Sequence, residues 1–236
     1  MMDITINHIK KHFGVQCACD IPALTIHAGE CIGLVGNNGA GKTTLFRLML
    51  DLINPDEGDI SIGGMAVNAT EDWKPQTGAY LDESFLINYL TPEEYFGFLA
   101  RVEGIPKDVL EERLEAFSRL MAGEILGKKK LIRELSAGNR QKVGIIGAML
   151  HQPRVLILDE PFNFLDPSGQ IAVKQLLAEY NKAQGATILV SSHNLQHTID
   201  TSSRLLLLEA GRIVKDTVND AGEGVDDIKN YFIKED

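Results

Sequence analysis

Over roughly the first third of the chain, apolar positions come in short runs broken by glycine, proline and charge. Residues 4–6, 24–26, 31–35, 59–62 and 78–81 have the length and composition of strands. The spacing then changes. Thr91-Pro92-Glu93-Glu94 offers a capping threonine, a proline for the first helical position and a glutamate that closes a capping box, so a helix is predicted to start there. A second helix follows Pro106, with Val109, Leu110, Leu114, Phe117 and the pair Leu120/Met121 on one face. Residues from about 83 to 150 are therefore expected to be mostly helical, set between strand-rich stretches.

From Arg154 onward, apolar strands alternate with helices. Residues 155–158, 186–190 and 205–208 read as buried strands, and 168–184 and 194–200 as helices. Ile171, Leu176, Leu177 and Tyr180 are available for packing on the longer helix. This alternation predicts a mainly parallel sheet covered on both faces, whereas the early strands look antiparallel. The expected class is α/β, with an antiparallel β subdomain near the N-terminus and an inserted helical subdomain. One domain would span 1–236, its core formed by 1–82 and 151–236 and its helical part by 83–150. The acidic stretch 216–236 places Ile228, Tyr231, Phe232 and Ile233 at helical spacing, a face expected to pack on the core rather than meet a partner.

Composition narrows the function. The 236 residues are 44% hydrophobic, enough for a sizeable core. Lys and Arg number 23 against 33 Asp and Glu, a net charge of −10 that argues against broad contact with nucleic-acid backbones. No apolar run approaches the ~20 residues of a spanning helix, and no secretory signal is visible. Three cysteines make no disulfide set. Cys17 and Cys19, two apart, would share a strand face as small packing residues or, less favoured, as a metal or redox pair; Cys31 is expected to pack. A reducing cytosol suits this usage. Lys128-Lys129-Lys130 reads as a solvated face.

The chemistry is concentrated in a few segments. Gly36-Asn37-Asn38-Gly39-Ala40-Gly41-Lys42-Thr43 fits G-x-x-x-x-G-K-[ST], between an apolar strand and a helix that starts near Thr44. Glycines let successive N–H groups converge on phosphate oxygens, Lys42 can reach the β- and γ-phosphates, and Thr43 can offer its hydroxyl to Mg²⁺. The strand 155–158 ends in Asp159-Glu160, delivering two carboxylates to the sheet edge where ligands bind in open α/β folds. Asp159 can hold Mg²⁺ and Glu160 can orient an attacking water. In Leu135-Ser136-Ala137-Gly138-Asn139-Arg140-Gln141, Ser136 is placed to cap the following helix and to form a second anion site.

The order GNNGAGKT, LSAGN, LILDE, NFLDP and SSH resembles the nucleotide-binding subunit of ATP-binding-cassette (ABC) transporters over nearly the whole chain, from about Ile4 to Lys215. The resemblance implies an ATPase that uses ATP and Mg²⁺. It implies that Phe13 stacks on adenine and that Asp166 lies in the loop that crosses to the opposite subunit. His193 would be the switch histidine at the γ-phosphate, and Ser136 and Gly138 the signature that closes over the partner's ATP. Ala137 replaces the signature's first glycine. Asp82 stands where the family usually has a glutamine that touches Mg²⁺ and links to the membrane subunit, with Glu83 beside it as the alternative. The partners implied are separate transmembrane permease subunits and a second cassette, as homodimer or heterodimer, with the chain peripheral on the cytoplasmic face of the membrane. Residues 86–104 resemble exporter-type bacterial subunits more than importer ones. A non-transport relative acting on nucleic acid or ribosomes is the alternative, without the tandem cassettes, coiled-coil insertions or zinc modules usual in that group. A third reading, a regulatory module that holds ATP without turnover, runs against Glu160 and His193.

Overall fold

A computed structural model describes residues 2–220 and 223–233. Strands β1 (Ile4–Phe13) and β2 (Gln16–Ile26) form a hairpin, paired from Ile4 with Ile26 to Phe13 with Gln16. Both run far beyond the apolar runs that the sequence marks. The outer half of β1 is mostly polar and is held by charge to the start of β4 and the residue before it, Lys10 to Glu57 at 2.8 Å and Lys11 to Asp56 at 3.0 Å. Strand β3 (Cys31–Val35) leads through a glycine-rich loop into helix α1 (Lys42–Met49). Then follow β4 (Glu57–Ile62), β5 (Met65–Ala66) and β6 (Thr77–Tyr80).

The helical part comprises α2 (Pro92–Val102), α3 (Lys107–Ala116), α4 (Ser118–Met121) and α5 (Ala137–Met149). The capping box at Thr91 and Glu94 is formed as expected. The second predicted helix is divided at Phe117 into α3 and α4. The chain continues through β7 (Val155–Leu158), α6 (Pro167–Gln184), β8 (Thr187–Ser192), α7 (Leu195–Thr201), β9 (Arg204–Glu209), β10 (Arg212–Val218) and α8 (Glu223–Ile233).

Among the described residues there are two sheets. The smaller is antiparallel, in the order β2-β1-β4-β5; the larger has the order β10-β9-β3-β8-β7-β6. In the larger sheet every neighbouring pair is parallel except β9 with β10. The expected division of strands therefore needs one correction. β3 and β6, which lie among the early strands in sequence, belong to the parallel sheet.

All four β7 side chains are buried. Val155 and Ile157 join Leu34, Phe46 and Leu189 in the core beneath the smaller sheet. Leu156 and Leu158 join Ile188, Val190 and the helical part. Both faces are thus covered, as a parallel sheet requires. In α8, Val225 and Ile228 pack on Val35, Leu205 and Leu207, in line with the core-packing expectation. The side chains of Phe232 and Ile233, and residues 234–236, lie outside the described residues.

The β1–β2 register passes from Lys11 with Cys19 to His12 with Cys17, leaving Ala18 as a bulge. The bulge breaks the two-residue alternation expected between Cys17 and Cys19. Burial pushes the Cys19 thiol up to about 12 and the Cys31 thiol to about 11, so both are packing groups with little thiolate. Lys128, Lys129 and Lys130 are all exposed.

Helix α5 lies directly on β6. A Cβ at Gly144 would overlap the Tyr80 ring, and Tyr80 is itself fully buried. Gly144→Ala would gain about 1 kcal/mol of helix propensity. It would lose more, about 3 kcal/mol, through overpacking against a ring with no room to retreat. We expect a net loss of about 2 kcal/mol, read as a lower urea midpoint with an unchanged slope.

Candidate nucleotide-binding and hydrolysis site

The carboxyl ends of β3, β8 and β7 are adjacent, with Val35 level with Ser192 and Leu158 level with Val190. Residues 36–41, 159–160 and 193 therefore leave the sheet side by side. The loop 36–41 ends at Gly41, whose φ of 108° opens α1 and where a Cβ would run into the Ala18 carbonyl oxygen. Only glycine meets both conditions. No side chain caps α1 and no acidic residue occupies its first turn, so its leading N–H groups are left for an anion.

Lys42, 7% exposed, points back along this loop. Its Nζ donates to the carbonyls of Gly36 at 2.6 Å and Asn37 at 3.3 Å, and lies 3.6 Å from Glu160 Oε1. A cavity of about 290 Å³ opens here, lined by Phe13, Gln16, Ala18, residues 37–44, Asp159 and Glu160. The stretch Asn37, Asn38, Gly39, Ala40, Gly41, Lys42, Thr43 and Thr44 thus lines the cavity without a break, and half-exposed Phe13 lines it too. Backbone bonds tie β2 to the loop. Asp20 N donates to Gly211 O at 2.8 Å, and Gly211 N donates to Ala40 O at 2.8 Å.

Asp159 is 6% exposed and accepts hydrogen bonds from the hydroxyls of Thr43 and Ser191. Glu160 follows in the left-handed region, φ 49°. Its N–H donates to Ser191 Oγ at 2.9 Å and its carbonyl accepts from Gln141 Nε2 at 3.2 Å, so the turn is held from both sides. Its carboxylate bridges Lys42 and His193, the latter through a 2.9 Å contact from Oε2 to Nδ1.

The signature residues open on a different cavity. Ser136 caps α5, its Oγ accepting from Asn139 N at 3.2 Å. A Cβ at Gly138 would come 2.7 Å from Phe164 O, so the turn packs tightly on the segment before Asp166. Asp166 caps α6, accepting from Gly169 N and Ser168 Oγ, both at 2.8 Å; these bonds hold its carboxyl below the usual carboxylate range. Ser136, Gly138 and Asp166 line this second cavity, which shares no lining residue with the first.

Asp82 stands apart from both cavities. It accepts from Ser84 N at 2.8 Å and lies 3.4 Å from Arg47 Nη2; the Ser84 hydroxyl first, then the Ser84 N–H and the Arg47 charge, keep its carboxyl below the usual range. Glu83 bonds Arg140 Nε at 2.9 Å. The sequence reading assigned no role to Ser191 or Gln141. Ser191 lies within the SSH motif, whereas Gln141 reaches Glu160 across 19 residues and only the fold reveals it.

A family model described as "ABC transporter" matches residues 20–163. A second, described as "AAA domain, putative AbiEii toxin, Type IV TA system", matches 127–200. The ABC transporter ATP-binding protein YhaQ of Bacillus subtilis, itself uncharacterized, is 37% identical over 89% of this chain and 70% of its own length. The tungstate uptake system ATP-binding protein TupC of Peptoclostridium acidaminophilum is 29% identical over 90% of this chain and 97% of its own. A bacterial ABC transporter cassette solved as a dimer superposes with a TM-score of 0.82 at 23% identity, covering 93% of this chain and all of that one. The chain belongs to the ABC transporter family, as an ATP-binding subunit and ATPase.

Among the described residues Lys42 is the only lysine lining the first cavity, and Lys42→Ala removes its ammonium. Nucleotide affinity should fall about 10- to 100-fold, measured by titration with a fluorescent ATP analogue. Unchanged affinity would remove the phosphate-loop assignment.

Proposed function

We propose that the chain drives transport through separate membrane permease subunits, pairing head to tail with a second copy or a related ATPase chain. The observation that carries this reading is the separation of the two half-sites. The phosphate loop and the signature open on cavities with no residue in common, so one chain does not enclose a nucleotide between them. Two chains related by a two-fold axis bring each loop against the other's signature. The dimeric state of the similar bacterial cassette supports this arrangement.

In each composite site, Phe13 stacks on the base, residues 36–44 hold the phosphates, and Ser136, Gly138 and Asp166 of the opposite chain close over them. The Thr43 hydroxyl and the Asp159 carboxylate form an adjacent pair of hard oxygen donors, a set that fits Mg²⁺. When bound, the cation neutralises phosphate charge. Asp82 is engaged by Arg47 and Ser84, so we assign the cation to Thr43 and Asp159. Glu160 orients the attacking water and takes its proton, and His193 holds the Glu160 carboxylate and reaches toward the γ-phosphate.

Among the described residues no helix is long and apolar enough to cross a membrane, which is consistent with a peripheral subunit on the cytoplasmic face. The expectation of export rests on residues 86–104 alone. The likeness to a protein named for tungstate uptake gives it no support.

Glu160→Gln keeps the shape of the site and removes the carboxylate. We expect this variant to be monomeric without nucleotide and dimeric in saturating ATP, as read by light scattering. A monomer at every ATP concentration would overturn the head-to-tail reading.

A further inference from the structure

The turn after β6 carries two neighbouring carboxylates that reach in different directions. Asp82 pairs with Arg47 of α1, the helix that opens with Lys42 and Thr43. Glu83 Oε1 accepts from Arg140 Nε at 2.9 Å, on α5, the helix that Ser136 caps. Arg140 is engaged a second time. Its Nη1 donates to the carbonyl of Leu135 at 2.6 Å, the peptide group immediately before Ser136. Beneath the turn, Tyr80 meets Phe85 edge-on with ring centroids 6.4 Å apart, so the turn rests on a packed base.

We infer that Glu83 is a positioning residue for the signature, acting through Arg140. The guanidinium is a rigid planar fork. With Nε fixed by Glu83 and Nη1 by Leu135, its plane is determined, and so is the Leu135 carbonyl. That carbonyl fixes the path of the chain into Ser136, and hence the direction in which the Ser136 hydroxyl and the first N–H groups of α5 face the partner's nucleotide. An isolated surface ion pair is worth little. This one differs because the Arg140 side chain is only 22% exposed and its second bond is to the backbone it positions. A lysine in its place keeps the charge and loses the fork.

The inference rests on the head-to-tail reading, and the experiment separates the two. Four chains all carry Glu160→Gln: the parent, Glu83→Ala, Glu83→Gln and Arg140→Lys. ADP affinity in EDTA reports each chain's own phosphate loop. The ATP concentration at half-dimerisation, from sedimentation, reports the signature. We expect equal ADP affinity in all four. The half-dimerisation concentration should rise about fivefold in Glu83→Ala and in Arg140→Lys, and less in Glu83→Gln, whose amide oxygen still accepts from Nε. A parent that never dimerises overturns the head-to-tail reading and this inference with it. A dimerising parent whose midpoint Glu83→Ala matches overturns this inference alone. So does weakened ADP binding in Glu83→Ala, which would place the carboxylate's effect on the phosphate loop or on folding.

Discussion

A carboxylate almost wholly withdrawn from water holds this site together. Burying an ionised group is costly unless hydrogen bonds replace its hydration. Asp159 meets that condition with two hydroxyls from separate segments, Thr43 at the start of α1 and Ser191 near the end of β8, while its own N–H reaches Tyr80 O at the end of β6 at 3.0 Å. Helix α1 and strands β6 and β8 are thereby joined to the end of β7 at one point on the sheet edge. Ser191 then also fixes the N–H of Glu160, so the strained turn that presents the second carboxylate depends on the first. The left-handed backbone of Glu160 costs about 1 to 2 kcal/mol, which the surrounding bonds must offset.

The side-chain charges are arranged around that edge. Lys42 is buried, and its 3.6 Å approach to Glu160 places cation and carboxylate in direct opposition. His193, half exposed, holds the other oxygen of the same carboxylate. Glu160 is thus the junction between the glycine-rich loop and the segment after β8, contacting Lys42 on one side and His193 on the other.

The larger sheet was legible in the sequence wherever strands are buried on both faces, because residues 155–158 and 205–208 are apolar without interruption. The outer halves of β1 and β2 were not legible. Their strand state comes from pairing with each other and, for β1, from partners such as Glu57 and Asp56 some 45 positions away. Sheet membership of β3 was hidden for a related reason, since its neighbour β8 lies far along the chain and Cys31 is level with Ile188. The site divides the same way. Contiguous residues such as 36–43, 135–141 and 159–160 declare themselves through spacing. Contacts that close the site across the fold, Ser191 to Asp159 and Gln141 to Glu160, have no local signature. Asp82 shows the limit of motif register, since its position in the family pattern gave no sign of the Arg47 pairing.

The backbone link from Asp20 through Gly211 to Ala40 has a further consequence. It joins the smaller sheet, which carries Phe13 at its tip, to the glycine-rich loop, using peptide groups rather than side chains. The placement of β2 against the loop is therefore held by main-chain bonds, whatever side chains line the space between. On the proposed reading, a ligand that meets both the Phe13 ring and the loop carries a flat ring and an anionic tail joined by a linker long enough to reach between them, and a shorter one is held at only one of the two.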